Sequence, residues 1–343
     1  MKLLFALLGL FSLLSQMAQA EVQLEVLYGP DNRHHIEESP APNFKILSLS
    51  TAMMIHEDKI ESAFDGVLTK IYTEKLGPAY YLCSEERYHN EIIAGKCSGF
   101  LVGPDLLVTA GHCITGESSC KNNKWVFDFR NDLILDSGEK DSVYVGSNNV
   151  YGCKEVINRK YSTESKNDFA LIRLDRPVLD RSPLRFRTEG KIEVDAQLVM
   201  IGHPLGLSSK ISYKANILKN DNPFFFKTNL DSFLGNSGSA VFNKITGIVE
   251  GILVRGELDF EQHDEMDCEV VKVCSEDGED CKGEDVTRIT VIPELVPGMT
   301  PNEPEIDPFL WDDDLDTDDI ISEDDESIDW DCYFSDDEDC DID

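Results

Sequence analysis

The chain has 343 residues, 66 of them acidic and 31 basic, for a formal charge of −35. Phosphate binding needs clustered Lys and Arg, so this balance excludes nucleic acid as a partner. The ten cysteines carry no paired C-x-x-C spacing and the seven histidines are scattered, which argues for disulfides over a zinc site.

In chain order, Lys2 precedes the apolar run "LLFALLGLFSLL" and the small-x-small triplet Ala18-Gln19-Ala20. This pattern predicts a signal peptide over residues 1–20, a mature start near Glu21, and a secreted or periplasmic protein. The run is short for a membrane span and no later segment approaches one, so no membrane span is expected in the mature chain. Residues 21–79 read as an N-terminal extension or pro-region. Within it "AMMIHEDKIESAFDGVLTKIY" suits a helix and "ILSLSTAMMI" suits a strand equally well.

The main domain is expected over residues 80–297, and from Cys97 the texture changes to short Val, Ile, Leu and Phe runs separated by Gly, Asn, Asp and Pro. Such spacing predicts an all-β barrel or sandwich of antiparallel strands. In "GFLVGPDLLV" the turn Gly103-Pro104-Asp105 divides two apolar halves into a hairpin. From residue 298 to 343 there are 21 Asp or Glu and no Lys or Arg, so −21 of the charge lies there and −14 in the remainder. Asp312, Asp314, Asp316 and Glu323 fall at EF-hand positions and suggest weak calcium binding by the tail. Thr317 stands where the turn needs glycine, so a solvated low-complexity tail is the favoured reading.

Three short motifs carry chemistry. "LGNSGSAVFN" sets Ser237 between turn glycines, "VTAGHC" puts His112 where a strand meets a loop, and "KNDFALIRLDRP" puts Asp168 at the entry to an apolar strand. A serine attacks only when a base takes its proton, and the base needs an acid to orient it. The order His, Asp, Ser is one of the known chain orders for that triad. A bridge between Cys97 and Cys113 would pin the histidine's loop to the strand before it.

These motifs, with "EDVTRITVI" near the end, resemble those of the chymotrypsin-like (trypsin-like) serine endopeptidases over roughly residues 80 to 293. The resemblance implies two packed antiparallel six-stranded Greek-key barrels with a cleft between them. It implies a monomer that hydrolyses a protein or peptide substrate through an acyl-enzyme, with no cofactor and no metal. His112 would act as base, Asp168 would orient it, and the N–H groups of Gly235 and Ser237 would form the oxyanion hole.

Asn236 is neutral where many digestive relatives carry Asp, so a switch through a new N-terminal ammonium is not expected. "GNSGS" and "PDNRHHI" (residues 30–36) are similar to the bacterial glutamyl endopeptidase branch. In that branch the mature N-terminal amine helps bind an acidic substrate side chain; the matching amine here would be Val26, released by a cut after Glu25. Ser232 would line the substrate pocket, Leu253 stands where the branch has its acid-recognising histidine, and Arg255 offers compensating positive charge. The alternatives are an inactive protease fold serving as a binding or adhesion module, and a calcium-dependent acidic surface protein.

Overall fold

A computed structural model describes residues 26–39 and 42–295. The expected signal peptide, the mature start at Glu21, and the acidic tail with its calcium reading and Cys332 and Cys340 lie outside the described residues.

The strand Asp168–Leu174 is buried at nearly every position, so neither face meets water. Its side chains belong to one apolar cluster that runs through both halves of the molecule. In the first half, six antiparallel strands close into a barrel. Their order is Asn123–Phe127, Val150–Tyr161, Asp168–Leu174, Leu106–Thr109, Cys97–Leu101 and Thr51–His56, the last pairing back onto the first. The hairpin expected across Gly103-Pro104-Asp105 is present, with Phe100 opposite Val108 and Leu101 opposite Leu107. The strand Val150–Tyr161 carries two register shifts along its pairing with Asp168–Leu174, which let it bend around the barrel.

The second half is an open half-barrel of eight strands, in the order Ile217–Lys219, Phe225–Thr228, Glu284–Arg288, Val249–Arg255, Ala240–Asn243, Leu198–Gly202, Lys210–Ala215 and Arg33–His35. The all-β double-barrel expectation therefore holds, while the count of six strands holds only for the first half. The difference has a local cause: Ile217–Lys219 and Arg33–His35 lie at opposite edges and do not pair with each other.

Residues 26–79 contribute to both halves. Arg33–His35, inside "PDNRHHI", adds an edge strand to the second sheet, and Thr51–His56 completes the first barrel. Ala52 and Met54 face the main core, whereas Met53 and Ile55 pack with Ile71, Val143 and Val145 beneath an outer four-stranded sheet. All eight cysteines among the described residues are paired: Cys83–Cys268, Cys97–Cys113, Cys120–Cys153 and Cys274–Cys281. No helix among the described residues is long and apolar enough to cross a membrane.

A chain starting at residue 80 lacks the strand that closes the first barrel and exposes two unpaired strand edges. It is expected to lack the near-ultraviolet circular dichroism of the full chain; a native-like spectrum would show that residues 26–79 are dispensable.

Candidate active site

The end of the Leu106–Thr109 strand delivers His112, and the start of the Asp168–Leu174 strand delivers Asp168. Those two strands are neighbours in the barrel, so the two side chains meet by register. The Asp168 carboxylate is buried and doubly engaged. Oδ1 accepts the His112 backbone N–H at 3.1 Å, and Oδ2 lies 2.9 Å from His112 Nδ1. A carboxylate only accepts hydrogen bonds, so Nδ1 carries the proton and Nε2 keeps its lone pair.

Ser237 lies on a turn of the second half. Asn236 N–H donates to Phe233 O at 2.9 Å and Ser239 N–H to Asn236 O at 2.7 Å. Gly238 N–H donates across to Leu253 O at 2.7 Å. Two glycines make the turn passable. Gly235 has φ +95°, and a Cβ there would come within 2.7 Å of His203 O; Gly238 has φ +92°, and a Cβ there would come within 2.0 Å of Ser98 O.

The first barrel grips this turn through Ser98. Its N–H donates to Ser237 O at 2.8 Å and its hydroxyl to Gly235 O at 2.9 Å, while accepting His203 N–H at 2.9 Å. Cys113 Sγ, one residue past His112, sits 3.7 Å from Ser237 O. The turn is thus fastened directly beside the His112 loop.

Besides the Asn236 side-chain amide, three polar groups at the turn have no hydrogen-bond partner among the described residues. They are the N–H groups of Gly235 and Ser237 and the Ser237 hydroxyl, which is buried. Leu234 O is held by Leu205 N–H, and in a trans peptide this turns the Gly235 N–H the opposite way. Such a pair of uncommitted amides suits a developing oxyanion.

Residues 97–252 match the family model for the trypsin-like peptidase domain. This segment is a trypsin-like peptidase domain. The chain is also similar in structure to a Glu endopeptidase in complex with MPD, at 16% identity over 79% of this chain and 97% of that one, TM-score 0.43. The inactive form of the Rv3671c protease gives 15% identity over 73% of this chain and 91% of that one, TM-score 0.38. The VesB protease of Vibrio cholerae gives 11% identity over 77% of this chain and 64% of that one, TM-score 0.42. No curated protein sequence matches the chain.

The residues expected to govern specificity are dispersed. Ser232 is buried and donates its N–H to Val26 O at 3.1 Å. Leu253 packs in the apolar core of the second half with Met200, Phe226, Val241 and Val286. The Arg255 guanidinium is engaged elsewhere: Nε donates to Asp285 Oδ2 at 2.8 Å, Nη2 to Lys166 O at 2.6 Å, and Nη1 lies 3.8 Å from Asp168 Oδ2. Two groupings of Cys with His or Asp occur among the described residues, Cys97–His112–Cys113 and Cys274–Asp280–Cys281. Their sulfurs are joined in disulfides, so neither grouping offers a thiolate ligand.

Sequence reasoning missed three residues. Ser98 is one, hidden in "CSGF" with no motif to mark it. Asp231 is another: fully buried, it accepts N–H bonds from Tyr28 at 2.7 Å and Asn32 at 2.9 Å, and burial pushes its carboxyl up to about 7. His203 is the third. Its Nδ1 lies 3.0 Å from Leu207 O, its Nε2 is buried without a partner, and burial pushes the imidazole down to about 4.

That depression fixes a sign. Between about 4 and the ordinary 6.5 the unfolded chain binds more protons than the native one, so stability is lost as pH falls through this window. Moving from pH 7 to pH 5 is expected to cost on the order of 2 kcal/mol through this one ring. His203→Gln should flatten the loss in urea titrations at the two pH values; an equally steep loss in the variant would place the effect elsewhere.

Proposed function

We propose that the protein is an exported serine endopeptidase acting through His112, Asp168 and Ser237. The observation that carries this reading is the doubly held His112–Asp168 pair beside a turn whose serine hydroxyl and two amides are uncommitted. His112 Nε2 takes the Ser237 proton as Oγ attacks a peptide carbonyl, then returns it to the leaving amine. Asp168 holds the tautomer and stabilises the imidazolium. The N–H groups of Gly235 and Ser237 receive the oxyanion; losing one such donor typically costs about 10²–10³ in rate. The four disulfides among the described residues support an oxidising compartment, secreted or periplasmic.

Preference for a basic side chain before the scissile bond fits better than preference for glutamate. The Val249–Arg255 strand runs beside the nucleophile turn, and just past it a Cβ on Gly256 would meet the buried Glu284 carboxylate at 2.0 Å. Glu284 Oε1 lies 3.5 Å from the Tyr28 hydroxyl, so one buried acid sits on this side. The Arg255 charge, by contrast, is already matched by Asp285. A buried acid disfavours a second carboxylate and welcomes a cation. Val26, whose carbonyl meets Ser232, is a suitable mature N-terminus at the same place. N-terminal sequencing of the secreted protein tests it, and a start at Glu21 with full activity would remove it.

Ser237→Ala is expected to lower turnover by at least about 10³ with an unchanged thermal melt, and to abolish labelling by a serine-directed phosphonate. A wild-type protein that resists the label would favour a binding module instead. Cut-site mapping on a mixed peptide library should show Lys or Arg favoured over Glu by at least about tenfold; predominant cleavage after Glu would refute the basic preference.

A further inference from the structure

We propose that Lys227, Asp285 and Arg255 form a ladder of alternating charge that ends on Asp168 and tunes how readily His112 takes a proton. The inference rests on the serine-peptidase reading and adds a positioning role for residues that touch neither substrate nor the reacting atoms.

The ladder follows from register. In three neighbouring strands of the second half, Lys227 is paired with Asp285 and Asp285 with Arg255. Lys227 Nζ donates to Asp285 Oδ1 at 2.6 Å, and Arg255 Nε donates to Asp285 Oδ2 at 2.8 Å. The Lys166 carbonyl holds the guanidinium's Nη2 at 2.6 Å, which leaves Nη1 aimed across the junction, 3.8 Å from Asp168 Oδ2. That oxygen is the one bound to His112 Nδ1. Side-chain exposure is 29% at Lys227, 9% at Asp285, 16% at Arg255 and 1% at Asp168, so water screens the contact at Asp168 least.

Charge at the end of this row acts on the imidazole through the carboxylate. A cation beside Asp168 offsets part of the negative potential that would favour the imidazolium. Asp285 in turn offsets part of the Arg255 charge. The other groups facing the couple come from the Val150–Tyr161 strand. Tyr161 has its ring 6.3 Å from that of His112, and Arg159 donates to Gly111 O at 2.6 Å while lying over Tyr161. The cystine Cys97–Cys113 does not titrate. None of these groups touches Asp285, so changes at Asp285 and Arg255 report on the ladder itself.

The ladder requires displacements of opposite sign. Arg255→Gln removes the cation and should move the midpoint of the acid limb of kcat/KM to higher pH by about half a unit to one unit. Asp285→Asn leaves Arg255 uncompensated and should move it to lower pH by a comparable amount. Arg255→Lys keeps the charge and should stay near the wild-type midpoint. KM at alkaline pH should change by less than about twofold, as expected for a residue that does not contact substrate. The same displacements should appear in a proton NMR titration of the His112 ring, which needs no turnover and separates this inference from the hydrolytic reading. Thermal melts identify which variants are folded. Folded variants with unmoved midpoints, or with Arg255→Gln and Asp285→Asn moving together, would overturn the ladder; loss of turnover in the wild type alone would overturn the proposed function.

Discussion

The site depends on one short-range grip: the Ser98 backbone and hydroxyl, on the first barrel, hold the carbonyls of Ser237 and Gly235 on the second half. The His112–Asp168 pair is carried by the first barrel and the serine by the second. Their alignment is therefore an inter-barrel property. Ser98 transmits the position of one barrel to the turn of the other, and His203, whose N–H it accepts, backs the same turn from below. Gly238 allows this approach because a side chain there would strike Ser98 O of the first barrel, and Gly235 because one there would strike the backbone of His203. Packing across the shared apolar cluster supplies the driving force, while these few hydrogen bonds supply the registry.

What could be read from the sequence follows from how local each cause is. "VTAGHC", "NDFALIRL" and "GNSGS" place chemistry and turn residues within a few positions of one another, so their meaning survives in one dimension. The hairpin at Gly103-Pro104-Asp105 was legible for the same reason. "TAMMIH" was ambiguous because the Thr51–His56 strand is buried on both faces, one toward the barrel and one beneath the outer sheet, which erases the alternation that marks a strand.

Specificity was the least legible level. Along Val249–Arg255 the pleat sends Ile252 and Val254 to one face and Leu253 to the other, into the second core, so chain position alone misjudged its exposure to substrate. Arg255 looked available for a substrate carboxylate because its partners, Asp285, Lys166 and Asp168, lie 30 or more residues away in sequence. Ser98 and Asp231 carry no motif at all. Their roles exist only once strands from distant parts of the chain are placed side by side.

The N-terminal strand has a further consequence, for timing. Arg33–His35 pairs with Lys210–Ala215, and Cys83 is bridged to Cys268 across 185 residues of sequence. Contacts of such long range form late, after most of the polypeptide has been made. Leu27–Tyr28, the first strand of the described chain, pairs with Val273–Cys274, so the earliest segment waits for a partner made about 245 residues later.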